Sequence, residues 1–282
     1  MYSRPADFSE ALRLLAEPGA RVLAGGTDIF PTAGERLLTG RHVDVTALPA
    51  LRGSRIEDDR IRIGGAVTWN DLAKAELPAA FNALRTAARE IGGIQIQNRG
   101  TLAGNLCNAS PAADGVPPLL VLNAEVELVS ARGQRRMPLG EFIIGNRRTT
   151  LRPEEILTAV FTPQPTPTAR SSFLKLGARR YLVISIVMVA VMLDVVEGQV
   201  REARVAAGAC SAAAKRLPDV ERSLVGAPAR VGLGDLIEGE HLVALSPIDD
   251  LRGSAEYRRD AALTLVRRAI ECCLNAEAGG VV

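Results

Sequence analysis

The chain has 282 residues, 47% of them hydrophobic, 23% charged and only 4% aromatic. That composition excludes a disordered, fibrous or disulfide-framework protein and leaves ample apolar material for a core without metal or disulfide staples. Lysine and arginine number 34 against 32 acidic residues, a net charge of +2, so bulk electrostatics offers no case for nucleic acid or an anionic membrane.

The first expected helix spans 8–17, with Phe8, Ala11, Leu12 and Leu15 on one face and Asp7 or Ser9 as N-cap. Arg21–Ala24 is a short strand that runs into Gly25-Gly26, followed by a polar-started segment, 27–38, and a strand at Val43–Val45. Arg55–Glu57 and Arg60–Ile63 alternate with period two around Asp58-Asp59, the pattern of a hairpin. Helices are expected at 70–75 and 81–91. The stretch 92–118, dense in Gly, Asn, Ser and Pro, reads as a long functional loop. Strands return at 124–130, 135–137 and 156–161. Pro163, Pro165 and Pro167 form a stiff connector, and a domain boundary is expected there. Strands at 172–176 and 185–195, a turn at Glu197–Gln199, a strand at 200–209 and a helix at 255–276 complete the chain, an α+β pattern in both parts.

The longest apolar run, from Tyr181 to Leu193, falls short of the roughly 18 residues a membrane helix needs; it reads as a buried strand or core segment. No signal-like segment opens the sequence. Cys107, Cys210, Cys272 and Cys273 have no metal-ligand spacing, so buried reduced thiols in a cytoplasmic protein, with no metal of its own, are expected. His42 and His241 are the only histidines, and neither has obvious partners for a triad. Glu154-Glu155 reads as a solvated strand entry. The Rossmann and P-loop fingerprints are missing: Gly232-Leu233-Gly234-Asp235-Leu236 is followed by Ile237 where glycine is required.

Two stretches have the chemistry of phosphate handling. In Ala24-Gly25-Gly26-Thr27-Asp28 a strand meets paired glycines, which lets the backbone turn with positive φ and aim successive N–H groups into one concavity. The same residues also read as an ordinary turn with Thr27 as a helix N-cap. In Asn98-Arg99-Gly100-Thr101-Leu102-Ala103-Gly104-Asn105, small residues alternate with amide and hydroxyl donors, and Asn108, Ser110 and Asp114 follow. Thr101 and Asn105 suit phosphate or ribose oxygens. Asp114 suits ribose hydroxyls or an adenine amine, or caps a helix begun by Pro117-Pro118.

These two stretches in this order, together with Gln95–Gly100, Ser110–Asp114, Glu155–Leu157, Phe173–Arg180 and Ser254–Arg259, resemble the flavin-binding medium subunit of the molybdenum hydroxylases, the xanthine dehydrogenase and carbon monoxide dehydrogenase family. The resemblance covers nearly the whole chain. It implies an FAD fold of the vanillyl-alcohol-oxidase type over 1–165, with subdomains at about 1–54 and 55–165, and a smaller α+β C-terminal domain over 170–282. It implies that FAD lies extended between the subdomains. By resemblance, Ala24, Gly25, Gly26, Thr27, Asp28 and Ile29 form the first pyrophosphate loop; Thr101, Ala103, Gly104 and Asn105 form the second, with Asn108 and Asp114 beside it. Ile91 and Gly92 fall where the family packs a residue on the flavin ring, Leu157 matches a backbone contact to the isoalloxazine, and Lys175 matches a lysine beside that ring. Three positions depart from the pattern: Ala103 stands in a glycine slot, Ile91 replaces an aromatic residue, and Ala113 takes a position that can be serine.

The implied role is an electron-transfer subunit that passes electrons from the [2Fe–2S] clusters of a small partner subunit through FAD to NAD, O2 or a quinone. The molybdopterin cofactor would sit on a large partner subunit, the whole as a dimer of heterotrimers. Lys175 is then the one residue expected to act on the chemistry, by stabilising negative charge on reduced flavin. Two other readings remain: a self-sufficient flavin oxidase, disfavoured by the poverty of His and Tyr, and a scaffold subunit that has lost FAD.

Overall fold

The computed structural model describes residues 1–275, so the expected helix end at 276 lies outside the described residues. Near the N-terminus, three parallel strands are ordered Tyr2–Ser3, Arg41–Asp44, Ala20–Leu23. The helix Phe8–Leu15 covers them, N-capped by Asp7, whose carboxylate accepts from the Glu10 N–H at 2.9 Å. Its Ala11, Leu14 and Leu15 join Val43, Val45, Leu48 and Leu51 in a first small core.

A five-stranded antiparallel sheet follows, ordered Ser54–Glu57, Arg60–Gly64, Ile156–Pro163, Glu125–Ser130, Gly133–Pro138. Asp58 and Asp59 adopt φ of 49° and 57°, the left-handed pair that a two-residue hairpin turn matching strand twist requires. One face of this sheet packs on the helices Trp69–Lys74, Asn82–Glu90, Leu102–Asn108 and Val116–Val121 around Trp69, Phe81, Leu106, Leu119 and Phe142.

The segment 92–118 is not the loop its composition suggests. It holds the helices Ile94–Arg99 and Leu102–Asn108 and the start of Val116–Val121. Its glycines and prolines mark helix ends. Gly93 and Gly100 flank the first, and Gly115 with Pro117-Pro118 in the first turn begins the third, where a missing N–H costs nothing.

The last sheet is antiparallel, ordered Ala169–Leu176, Val187–Val196, Gln199–Gly208, Lys215–Arg216. Its central strand is covered on both faces, which explains the unbroken apolar sequence. Met188, Ala190 and Met192 point into the core shared with the preceding helices, while Val187, Val189, Val191 and Leu193 face the C-terminal helix Ala255–Asn275 through Ala262, Val266, Ala269 and Ile270. The apolar run read as one element is divided. Leu182 sits at φ 51° and its carbonyl accepts from Arg179, so Tyr181, Leu182 and Ile184 form an exposed bend before the strand begins. Among the described residues no helix is long and apolar enough to cross a membrane, and no group of acidic, His and Cys side chains could hold a metal. All four cysteines are free.

Candidate FAD site

The two phosphate-handling stretches meet. A Cβ added at Gly25 would overlap the Arg99 carbonyl oxygen, and would lie 2.6 Å from that carbonyl carbon and 2.9 Å from Gly100 Cα. Only glycine permits this approach of main chain to main chain. Gly26 adopts φ +75°, the second position where glycine is required. Across the joint, Asn108 donates from Nδ2 to Asp28 Oδ1 at 2.9 Å.

The two stretches differ in what they leave free. The backbone N–H groups of Gly25, Gly26, Thr27, Asp28 and Ile29 have no acceptor among the described residues; the first to bond is Phe30, to Gly26 O at 3.1 Å. Consecutive unpaired amides at a left-handed bend form an anion-binding concavity. Apart from the Thr101 N–H, which has no acceptor among the described residues, the amides of the second stretch are already used. Leu102 donates to Val67 O at 2.9 Å, Ala103 to Gly65 O at 3.0 Å, Gly104 to the Thr101 hydroxyl oxygen at 3.1 Å, and Asn105 to Thr101 O at 3.1 Å. Thr101 is therefore the N-cap of Leu102–Asn108 and retains its hydroxyl proton to donate. Asn105 Oδ1 is buried without a partner, beside Gly115, where an added Cβ would lie 3.0 Å away.

Ala103 is helical, so its methyl carries no conformational penalty, and it packs near Gly65, whose Cβ would come within 3.1 Å of it. Gly65 also abuts Leu157: its N–H donates to Thr158 O at 2.8 Å, where the strand Ile156–Pro163 is bulged between Leu157 and Ala159. The bulge turns the main chain beside the second stretch, as bulges near sites often do.

Asp114 and Lys175 form one unit, although the sequence suggested separate tasks for them. Lys175 Nζ lies 2.6 Å from Asp114 Oδ2, and Ser185 donates to Asp114 Oδ1 at 2.5 Å. Lys175 also reaches the Glu90 carbonyl at 3.4 Å, next to Ile91 and Gly92. Asp114 is 6% exposed and Ser185 2%. Burial pushes the Asp114 carboxyl above the usual carboxylate range, against the opposing pull of the Lys175 charge and of the hydrogen bonds from Lys175 and Ser185. Asp114 caps no helix; the residue before Val116–Val121 is Gly115, which makes no side-chain cap. Ile91 is half-buried against the core, and Gly92, at φ +57°, turns the chain over Ile96.

Glu155 is not solvated. It is 4% exposed and takes two hydrogen bonds of 2.8 Å from Arg135 and one of 2.9 Å from the Arg152 N–H. Those donors, Arg135 foremost, hold its carboxyl below the usual range despite the burial. His42 is buried, and His241 accepts from the Glu238 N–H through Nδ1 as part of a helix cap.

Residues 1–165 match the family model described as the FAD binding domain in molybdopterin dehydrogenase, and residues 172–273 match the CO dehydrogenase flavoprotein C-terminal domain. The chain belongs to the FAD-binding subunits of this dehydrogenase family. It is 34% identical to the xanthine dehydrogenase FAD-binding subunit of Escherichia coli O157:H7, over 99% of this chain and 97% of that one. It is 31% identical to the carbon monoxide dehydrogenase medium chain of Afipia carboxidovorans, over 96% and 95%. Among solved structures, a chain of Cu,Mo-CO dehydrogenase superposes with a TM-score of 0.89 at 29% identity, covering 97% of this chain and 96% of that one. Quinoline 2-oxidoreductase from Pseudomonas putida 86 gives 0.86 at 25% identity, over 98% and 96%. The two-part α+β FAD-binding fold implied by the sequence motifs is thus the observed one.

The residues present fit FAD. The open amides at 25–29 suit a diphosphate, and the unpaired Asn105 oxygen could accept from a ligand hydroxyl or amine. Sequence reasoning missed Gly65, which packs on Ala103, and Ser185, which bonds Asp114. Gly64-Gly65 follows a predicted strand and could have been flagged as a turn; Ser185 carries no local signal.

Proposed function

We propose that this chain is the electron-relay subunit of a heteromeric molybdenum hydroxylase. It would work with a small subunit carrying [2Fe–2S] clusters and a large subunit carrying the molybdopterin cofactor, assembled as a dimer of heterotrimers in the cytoplasm. Relatives described as medium chains of carbon monoxide dehydrogenase and a medium subunit of nicotine 6-hydroxylase support that partnership. Bound FAD would supply the redox chemistry, joining a one-electron donor to a two-electron acceptor such as NAD, O2 or a quinone.

The chain's own residues would bind and orient. The observation that carries the reading is the run of open N–H groups at Gly25–Ile29, held against Arg99-Gly100 by a contact only glycine allows. Thr101 would donate its hydroxyl to the same ligand. Lys175, neutralised by Asp114, would tie the Ile91-Gly92 turn to the body of the site through the Glu90 carbonyl and offer its remaining donor toward the ring. A self-sufficient oxidase needs a proton acceptor beside the flavin; Asp114, the buried carboxylate in the site, is held by Lys175 and Ser185.

The test is anaerobic. The FAD-loaded chain alone, mixed with a hydroxylase substrate, is expected to keep its oxidised flavin spectrum. Added iron–sulfur and molybdopterin subunits are expected to bleach it. Bleaching by the isolated chain would overturn the relay role in favour of an oxidase, and failure to take up FAD at all would favour a scaffold.

A further inference from the structure

The first phosphate loop contains a carboxylate, Asp28, which would repel a diphosphate, and no cation of its own. We propose that Arg147 binds the diphosphate of the cofactor, as the positive charge that loop lacks; the proposal rests on the FAD reading above.

Arg147 lies in the tip of the short hairpin formed by Ile143–Gly145 and Arg148–Thr149, a two-stranded sheet of its own. The hairpin reaches the first loop through one side chain. Asn108 Oδ1 accepts from Arg147 Nη1 at 2.5 Å, while Asn108 Nδ2 donates to Asp28 Oδ1 at 2.9 Å. A guanidinium carries only donors, so the amide oxygen must face Arg147 and the amide nitrogen must face the carboxylate. Asn108, which the sequence suggested as a cofactor contact, is thereby fixed as a connector.

The main chain holds this arrangement. Arg147 sits at φ +53° and donates its N–H to Ala109 O at 2.8 Å; Ala109 itself is at φ +47°. Both are non-glycine residues in a conformation that L-residues seldom adopt, at the point where the hairpin docks on the end of Leu102–Asn108. Among the described residues Arg147 has no carboxylate partner, and its side chain makes only the bond to Asn108. Its other guanidinium donors are free, in the fork geometry that matches phosphate oxygens.

The test uses the full chain freed of flavin, titrated with ADP, FAD and riboflavin. Arg147→Ala is expected to weaken ADP and FAD roughly 10-fold or more, the loss of a charge-assisted hydrogen bond, and to leave riboflavin unchanged. Arg147→Gln retains a donor for Asn108 without the charge, and is expected to lose as much for ADP and to flatten the salt dependence of ADP binding. Arg147→Lys is expected to recover part of the affinity. ADP binding by both Arg147→Ala and Arg147→Gln within twofold of the parent chain would overturn the proposal while leaving the FAD site intact. An equal loss for riboflavin would also overturn it, because the effect would then be general. A parent chain that binds neither ADP nor FAD would remove the site itself, and the proposal with it.

Discussion

Replacing Gly25 by alanine tests the joint between the two stretches with a single methyl group. The added carbon would stand 2.6 Å from the Arg99 carbonyl carbon and 2.9 Å from Gly100 Cα. Carbon atoms in contact rest at about 3.5–4.0 Å, so the two main chains must part by roughly 1 Å. No flexible side-chain end is available to absorb the strain, since all three atoms met are backbone. Gly100 is also held by its N–H to Ile96 O at 2.6 Å and by its carbonyl to the Trp69 N–H at 3.2 Å, which resists retreat on that side. Overpacking of this kind costs about 1–3 kcal/mol. If that cost falls on the ligand-ready arrangement, FAD affinity drops by roughly 5- to 150-fold. Fluorescence titration of the flavin-free variant measures the affinity, and a thermal melt of the same sample reports how much of the cost falls on folding. A Gly25→Ala protein with both unchanged affinity and an unchanged melt would refute the close approach on which the site is built.

Three further outcomes follow from the same geometry. Ala103→Gly is expected to cost about 0.5–1 kcal/mol of stability as a helical glycine without tightening FAD, because the Ala103 N–H is already bonded to Gly65 O; denaturant melts and FAD titration check both halves. Lys175→Met leaves the buried Asp114 uncompensated and is expected to cost about 3–5 kcal/mol. The Lys175→Met/Asp114→Asn double variant is expected to lose less than that single change, a non-additivity visible in unfolding curves. Glu155 has its carboxyl pKa depressed by Arg135, so its contribution to stability is present above the ordinary carboxylate pKa and is lost as pH falls through the depressed folded value. Glu155→Gln is accordingly expected to be destabilised most near neutral pH, and to converge with the parent only as pH falls from the ordinary carboxylate range through the depressed folded value, as followed by melts across a pH series.

Much of this molecule was legible in its sequence because local rules and global packing agree. Period-two alternation around Asp58-Asp59 gave the hairpin, and the apolar run beyond Ser185 gave the doubly covered strand. The paired glycines gave the first loop, since only that residue type supports both a positive φ at Gly26 and the contact at Gly25. Composition misled at 92–118, where glycine and proline serve as helix ends and helices of six or seven residues, one of them with no buried side chain, leave little hydrophobic periodicity to detect. It misled at Glu155 as well, because a carboxylate's burial depends on an arginine twenty residues away. The pairing of Asp114 with Lys175 and Ser185 joins positions separated by 61 and 71 residues. No spacing rule links such residues, so a resemblance can supply the names of site residues without revealing that two of them form one ion pair.

The central claim is that the main chain at 25–29 offers open amides to a dinucleotide's diphosphate. Hydrogen–deuterium exchange of the peptide containing Gly25–Phe30, with and without FAD, reads those N–H groups themselves. The account predicts rapid exchange in the flavin-free chain and strong slowing when FAD is bound. Exchange that is already slow without FAD, or that FAD leaves unchanged, would contradict it.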